Sequence, residues 1–371
     1  MPQLRNRLSG LLLALLLLVS YSAPVLASGA PETARIQQFS AMDATGNTVE
    51  LKKTPTRIII AGKAAIMPAD ALFLFPEARE MEVLLAVTNQ GLGDFFNLLD
   101  PTFVSQRRIG QQVSAEEILA LKPDLVLTKL SNYESLAKKL RQFGVPTFVM
   151  DLESSEAWKT EILELGKLLG NTKVAQEVVE TFNNREQNIA RALESLPGSE
   201  KPTVLVMQVA SADGVTAFSV APSGWIQTML VQQAGGKPVW LDADLSVNAW
   251  KKVSFEQIAA WNPDYIYLIS YRANADAFLK TIRSSEQWGQ LKAVRNNAVK
   301  SFPADVMNYA QSDSRWILAL EWLASDLHPD RFSNFDMEER IQSFYKALYR
   351  ISDRAIMEAL LAAYRTSVSS N

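Results

Sequence analysis

Cysteine is absent from these 371 residues, and histidine occurs once, at His328. Without thiols there is no disulfide, no cysteine nucleophile and no cysteine to carry a lipid. The single imidazole removes histidine metal clusters and most histidine-based triads. His328 stands in Asp326-Leu327-His328-Pro329-Asp330, where a helix ends before a proline and an imidazole suits the negative end of the helix dipole. Basic excess is lacking too. Lys and Arg number 37 against 40 Asp and Glu, a net charge of −3, which argues against nucleic acid as a partner. After residue 300 no transmembrane or output segment is visible, which weakens a sensor, and no nucleophile stands with its base, which weakens a hydrolase.

What is present is ordinary for a globular chain: 48% hydrophobic and 21% charged residues, enough for a large core and for two or more lobes. Residues Met1 to Ala27 are read separately. Arg5 and Arg7 precede the apolar block Leu11 to Val19, and Val25-Leu26-Ala27 supplies small residues for cleavage. This predicts a secretory signal and, with no lipid-bearing cysteine after it, a soluble periplasmic protein.

One stretch occurs twice. Ser114-Ala115-Glu116-Glu117-Ile118 leads to Pro123-Asp124-Leu125-Val126-Leu127, and Ser254-Phe255-Glu256-Gln257-Ile258 leads to Pro263-Asp264-Tyr265-Ile266-Tyr267; starting at 114 and 254, the copies lie 140 residues apart. Each serine three residues before Glu117 or Gln257 predicts a capping box and a helix start. Each proline predicts the helix end, and the β-branched or aromatic run after it predicts a buried parallel strand. Two similar α/β lobes follow. Glu116 and Glu256 are not needed for the cap. They are either acids that favour the positive end of a helix dipole or a matched pair of exposed charges offered to a partner.

In chain order, Phe39 to Leu51 predicts a hairpin around Thr45-Gly46-Asn47, and Arg57 to Ile60 and residues 83–87 predict strands. The loop Thr88 to Phe95 holds two glycines but lacks the Gly-Lys-Ser/Thr of a phosphate loop. A helix from Tyr133 to Phe143 and a strand from Pro146 to Asp151 come next, then helices over Glu156–Leu169 and Asn171–Leu196. The last carries Val174, Val178, Phe182, Ile189, Leu193 and Leu196 on one face and would span roughly 37 Å, a stiff connector. Thr203 to Met207 opens the second lobe, Ala298 to Phe302 is a strand, and the tail is helical.

The duplicated Ser-x-Glu-x-Ile units, the long central helix and Trp288-x-x-Leu291-x-Ala293-Val294 before a strand resemble the substrate-binding proteins of ABC importers for iron-siderophore, haem, cobalamin and related chelates. The resemblance covers nearly all of the chain after the signal. It implies two Rossmann-like α/β lobes joined by a long helix, with the ligand in a cleft between them: a signal at 1–27, lobes at 28–155 and 199–371, and a connector at 156–198. It implies no enzymatic activity, no resident cofactor, a monomer, and partners that are a small-molecule metal chelate, ferric first, and an ABC permease dimer with its ATPase. By position, Glu116 and Glu256 would be the glutamates that dock on the permease. Ligands of open α/β sheets bind beyond the carboxyl ends of the strands. That rule selects Lys63, Met67, Gln90, Asp94, Phe95 and Ser131 from the first lobe, and Trp225, Trp250, Tyr271, Arg272, Asn308 and Tyr309 from the second. Lys63 and Arg272 would suit an anionic chelate, an oxoanion or a propionate, whereas the tryptophans would suit a flat macrocycle such as haem or a corrinoid. The family's Ser-Pro-rich first loop is replaced here by Ala61 to Pro68.

Overall fold

The computed structural model describes residues 39–88, 90–99, 108–212, 215–241, 249–272 and 275–371. The expected signal at 1–27 and the lead at 30–36 lie outside the described residues. Strands β1 (Phe39–Met42) and β2 (Thr48–Leu51) form the expected antiparallel hairpin. The first lobe then runs β3 (Arg57–Ile60), α1 (Ile66–Phe73), β4 (Glu82–Ala86), α2 (Phe95–Leu99) and β5 (Arg108–Ile109). It continues through α3 (Ala115–Ala120), β6 (Leu125–Lys129), α4 (Lys138–Gln142) and β7 (Thr147–Met150). Its sheet has the order β5-β4-β3-β6-β7, all pairs parallel. Ile58 to Ile60 and Leu125 to Leu127 have no exposed surface, as a strand covered on both faces requires. The helix expected from Tyr133 begins as a π-helical turn over Tyr133–Ala137 before α4.

Helices α5 (Ser155–Leu168) and α6 (Thr172–Leu193) lead to the second lobe. The Asn171 side chain caps α6, accepting the Val174 N–H at 3.1 Å. With 22 residues, α6 ends at Leu193, short of the expected Leu196. It is unbroken and spans roughly 33 Å.

The second lobe holds β8 (Thr203–Ala212), β9 (Val215–Val220), α7 (Ile226–Gln233), β10 (Lys237–Pro238) and β11 (Lys251–Val253). After them come α8 (Phe255–Trp261), β12 (Tyr265–Ile269), α9 (Asp276–Ser284), α10 (Lys292–Arg295) and β13 (Val299–Ser301). The helical tail is α11 (Trp316–Leu327), α12 (Met337–Leu348) and α13 (Arg354–Val368). The parallel row β10-β8-β12-β13 repeats β4-β3-β6-β7 of the first lobe. The second lobe adds an extension: β8 folds back antiparallel on β9, and β11 joins β9. The sequence reading ended that strand at Met207 and missed the extension.

The duplication is reproduced atom by atom. Asp124 accepts the Thr56 N–H at 2.8 Å and the Thr56 hydroxyl at 2.8 Å, and Asp264 accepts the Thr203 N–H and hydroxyl at 2.7 Å each. Each Pro-Asp turn is thereby tied to the start of its lobe's central strand. The residue before each proline is left-handed, Lys122 at φ 51° and Asn262 at φ 39°, so both helices stop at the expected place.

The tail does not stay on the second lobe. Tyr345 and Tyr349 of the α12 region pack on Phe95 of the first lobe, with ring centroids 5.9 and 5.0 Å apart. Arg315, just before α11, donates to Asp70 of α1 at 2.8 Å, and neither side chain has exposed surface. Arg79 donates to the Tyr349 carbonyl at 2.6 Å.

Candidate functional site

The strands of both sheets point their carboxyl ends at one cavity of about 420 Å³. Lys129 closes β6, while Asp151 and Glu153 follow β7. Met67 lies on α1, which β3 feeds, and Gln90 follows β4. From the second lobe, Trp225 and Gln227 stand at the start of α7, Trp250 just before β11 and Tyr271 just past β12. This is the position that sheet topology assigns to a ligand.

One wall is aromatic. Trp225 and Trp250 meet edge to face with centroids 5.8 Å apart, and Trp250 meets Tyr271 at 6.1 Å. Burial pushes the Tyr271 phenol far above its ordinary range, so it stays protonated. Its hydroxyl donates to the Ala310 carbonyl at 3.2 Å and accepts from the Gln227 amide at 3.2 Å.

The rest of the lining carries the charge. Lys129, 3% exposed, places Nζ 2.8 Å from Glu153 and also donates to the Asp151 carbonyl. Glu153 joins the lobes: its other carboxylate oxygen accepts from Ser312 at 2.5 Å, and its carbonyl accepts the Ile226 N–H at 2.6 Å. Burial raises the Asp151 carboxyl above its usual range. Behind it, Glu161 accepts the N–H groups of Asp151 and Leu152 at 3.0 and 3.1 Å, and burial pushes its carboxyl up to about 7. The glycine loop is a further seam between lobes. The Gly91 N–H donates to the Tyr271 carbonyl and the Leu92 N–H to that of Val306, each at 2.8 Å. Gly91 has φ +102°, and a Cβ there would sit 3.3 Å from the Val306 carbonyl, so any other residue would be strained.

Of the residues selected from sequence, Met67, Gln90, Ser131, Trp225, Trp250 and Tyr271 line this cavity. The others do not. Asp94 and Phe95 lie beside a neighbouring hollow of about 470 Å³, where Asp94 pairs with Arg108 at 2.6 Å. Phe95 is buried, with the Arg315 guanidinium 4.3 Å above its ring. Arg272 is exposed at a separate hollow beside α13. Lys63 is exposed and serves by its backbone, which exchanges hydrogen bonds with the Asn132 amide at 2.9 and 3.0 Å. Asn308 and Tyr309 are buried; the Asn308 amide oxygen accepts the Ala310 N–H at 3.0 Å, and Tyr309 stacks on Tyr364. Sequence reasoning left out Asp151, Glu153, Gln227 and Ser312. The strand-end rule applied once more, to β7, reaches the first two.

The expected caps of the duplicated helices are present. The Ser114 hydroxyl accepts the Glu117 N–H at 3.2 Å while Glu117 accepts the Ser114 N–H at 2.7 Å; Ser254 and Gln257 exchange the same bonds at 3.3 and 3.1 Å. Glu116 and Glu256 are left exposed at matched helical positions. The Ser254 hydroxyl holds the Glu256 carboxyl below its ordinary value. His328 is buried, with Nε2 3.3 Å from the Gly235 carbonyl, and burial lowers its pKa. Among the described residues no group of three His, Asp or Glu side chains is placed to hold a metal ion, and no helix is long and apolar enough to cross a membrane.

Comparison with known proteins agrees with this architecture. The family model described as periplasmic binding protein matches residues 104–306. An uncharacterised ABC transporter substrate-binding lipoprotein of Bacillus subtilis, YvrC, is 24% identical over 307 residues, 78% of this chain and 85% of that protein. The iron-uptake system-binding protein of the same organism is 24% identical over 293 residues, 75% and 87% of the two chains. Among solved structures, the molybdate periplasmic binding protein MolA of Haemophilus influenzae, bound to molybdate, superposes with a TM-score of 0.67 at 19% identity, covering 85% of this chain and 99% of its own. With its duplicated lobes, connecting helix and interlobe cavity, the chain belongs to the periplasmic binding protein family: it is a non-catalytic, extracytoplasmic solute receptor of an ABC transporter.

Proposed function

We propose that this receptor captures a metal chelate, a ferric siderophore or similar iron complex, and passes it to an ABC permease without chemistry. The observation that carries this reading is the tryptophan pair sharing a cavity of about 420 Å³ with polar and charged groups, a space far larger than a bare ion needs and suited to a body with an apolar face. A flat macrocycle, haem or a corrinoid, is the second reading, favoured by the same two rings. The proposal takes residues 28–155 and 199–371 as the lobes and 156–198 as the connector. It makes the protein a monomer released by cleavage of residues 1–27. The six cavity-lining residues selected from sequence contact the ligand, and Glu116 and Glu256 dock on the permease.

Binding would shift an existing equilibrium toward a slightly closed form, since seams at Glu153 and Gly91 already join the lobes. Two measurements test the ligand class. Protein purified from its own host is weighed by native mass spectrometry, where a retained chelate declares its mass. The mature protein is then titrated with ferric chelates, haem and corrinoids while tryptophan fluorescence and melting temperature are followed. Quenching with a thermal shift for a ferric chelate is expected; silence from every chelate rejects the reading.

A further inference from the structure

The charged side chains that line the cavity lean acidic. Among the described residues that line it, the charged side chains are Lys129, Asp151 and Glu153, one cation against two acids. The Lys129 ammonium is already paired with Glu153 at 2.8 Å and with the Asp151 carbonyl. Ser312 donates to Glu153, and the Tyr271 hydroxyl donates to the Ala310 carbonyl. Gln227 supplies an independent sign. It is 2% exposed, and its amide nitrogen is fixed by the Ala310 carbonyl at 2.8 Å and the Tyr271 hydroxyl, which settles which end of the amide is oxygen. That oxygen, Oε1, is buried and has no protein partner. An orphan acceptor in a ligand cavity calls for a donor from the ligand. The two basic side chains that would have favoured an anion, Lys63 and Arg272, stand outside this lining.

We propose that this cavity selects its ligand by charge: it takes a metal chelate that presents a cationic or hydrogen-donating group to Asp151, Glu153 and Gln227 Oε1, with an apolar face on Trp225 and Trp250, and it rejects anionic chelates. This rests on the chelate reading above. The acids attract such a group directly, and the faces of the indole rings attract a cation as well. An anion placed in the same position would meet one carboxylate more than the Lys129 ammonium, already engaged by Glu153 and the Asp151 carbonyl, offsets in a partly desolvated site.

A matched series isolates charge from shape. Three ferric trihydroxamates share one linear backbone, and their terminal nitrogen is a free ammonium, acetylated or succinylated, giving a cation, a neutral chelate and an anion. Each is titrated into the mature protein by calorimetry and by tryptophan fluorescence at low and high salt. Affinity should fall in that order, by about tenfold or more from cation to anion, with the gap shrinking in high salt. In Asp151→Asn the gap between cation and anion should narrow to about threefold. Binding of all three without that order, a reversed order, or an Asp151→Asn variant that retains the full gap overturns charge selection and leaves the chelate reading standing. No binding of any of the three, with haem, corrinoids and other ferric chelates silent too, overturns both. The series on the unaltered protein decides the matter even if the variant fails to fold.

Discussion

Arg315 has no exposed surface, and it lies among Asp70, Asp305 and Asp313, all buried. Asp70 also accepts from the Tyr349 hydroxyl at 2.6 Å and from the Ser314 N–H at 2.8 Å, so one carboxylate on α1 gathers three groups from the other side of the molecule. Asp70→Ala leaves Arg315 with Asp305 at 3.1 Å but strands the buried Ser314 N–H and one guanidinium donor, so it should cost about 1–3 kcal/mol in urea unfolding; a loss near zero would show that those donors find water or another acid. Glu161 gives a pH dependence. Burial pushes its carboxyl from 4.5 up to about 7, so the native state holds that proton more tightly than the unfolded chain does. The contribution is fully present below about pH 4.5 and is lost as pH rises through about 7; at about 1.4 kcal/mol per pKa unit it is worth at most about 3 kcal/mol. Glu161→Gln, neutral throughout, should flatten unfolding free energy against pH between about pH 5 and 7. An unchanged slope assigns the effect elsewhere.

At the scale of elements, α6 shows why a connector can be stiff. Phe182 on α6 packs 4.2 Å from Trp158 of α5 and 5.1 Å from Trp316 of α11, and the two tryptophans meet at 6.1 Å. Arg185, one turn further on, pairs with Glu321 of α11 at 2.9 Å. The helix is therefore fastened both to the helix just before it and to the C-terminal helix α11. Phe182→Ala should cost about 3–5 kcal/mol, read from the shift in urea midpoint, because the surrounding rings cannot collapse into the space. The stripe Val174, Val178, Phe182, Ile189 was legible as a period of 3.6. Its partners were not: nothing local in the sequence says which distant tryptophans fill the groove, and Arg185 on the buried face reads as an error until Glu321 is placed beside it.

For the whole molecule, the twofold plan sets the expected docking. Two exposed acids at equivalent positions would fix register on a permease and speed encounter more than they would tighten binding. Charge reversal at either site, Glu116→Lys or Glu256→Lys, should lower uptake roughly fivefold or more in cells while ligand affinity stays unchanged. Unimpaired uptake by the double variant would return both residues to the role of helix-dipole acids. The rings of Tyr345 and Tyr349 against Phe95 make the tail a third tie between lobes besides α6 and the cavity seams. Large opening motions are thereby opposed.

The sequence by itself determined whatever depends on neighbours along the chain. The caps at Ser114 and Ser254, the stops before Pro123 and Pro263 and the buried strands after them are decided within a turn or two of backbone, and their recurrence was enough to fix two α/β lobes. The β8–β9 extension was also within reach, since Asp213-Gly214 is a hairpin dipeptide that the reading passed over. Only the tertiary structure decided the character of the cavity. Whether Lys129 is free or paired and whether Lys63 is held by Asn132 depend on groups more than twenty residues away in sequence. Ionic pairing and burial are set by distance in space, and the local pattern of residues does not encode that distance.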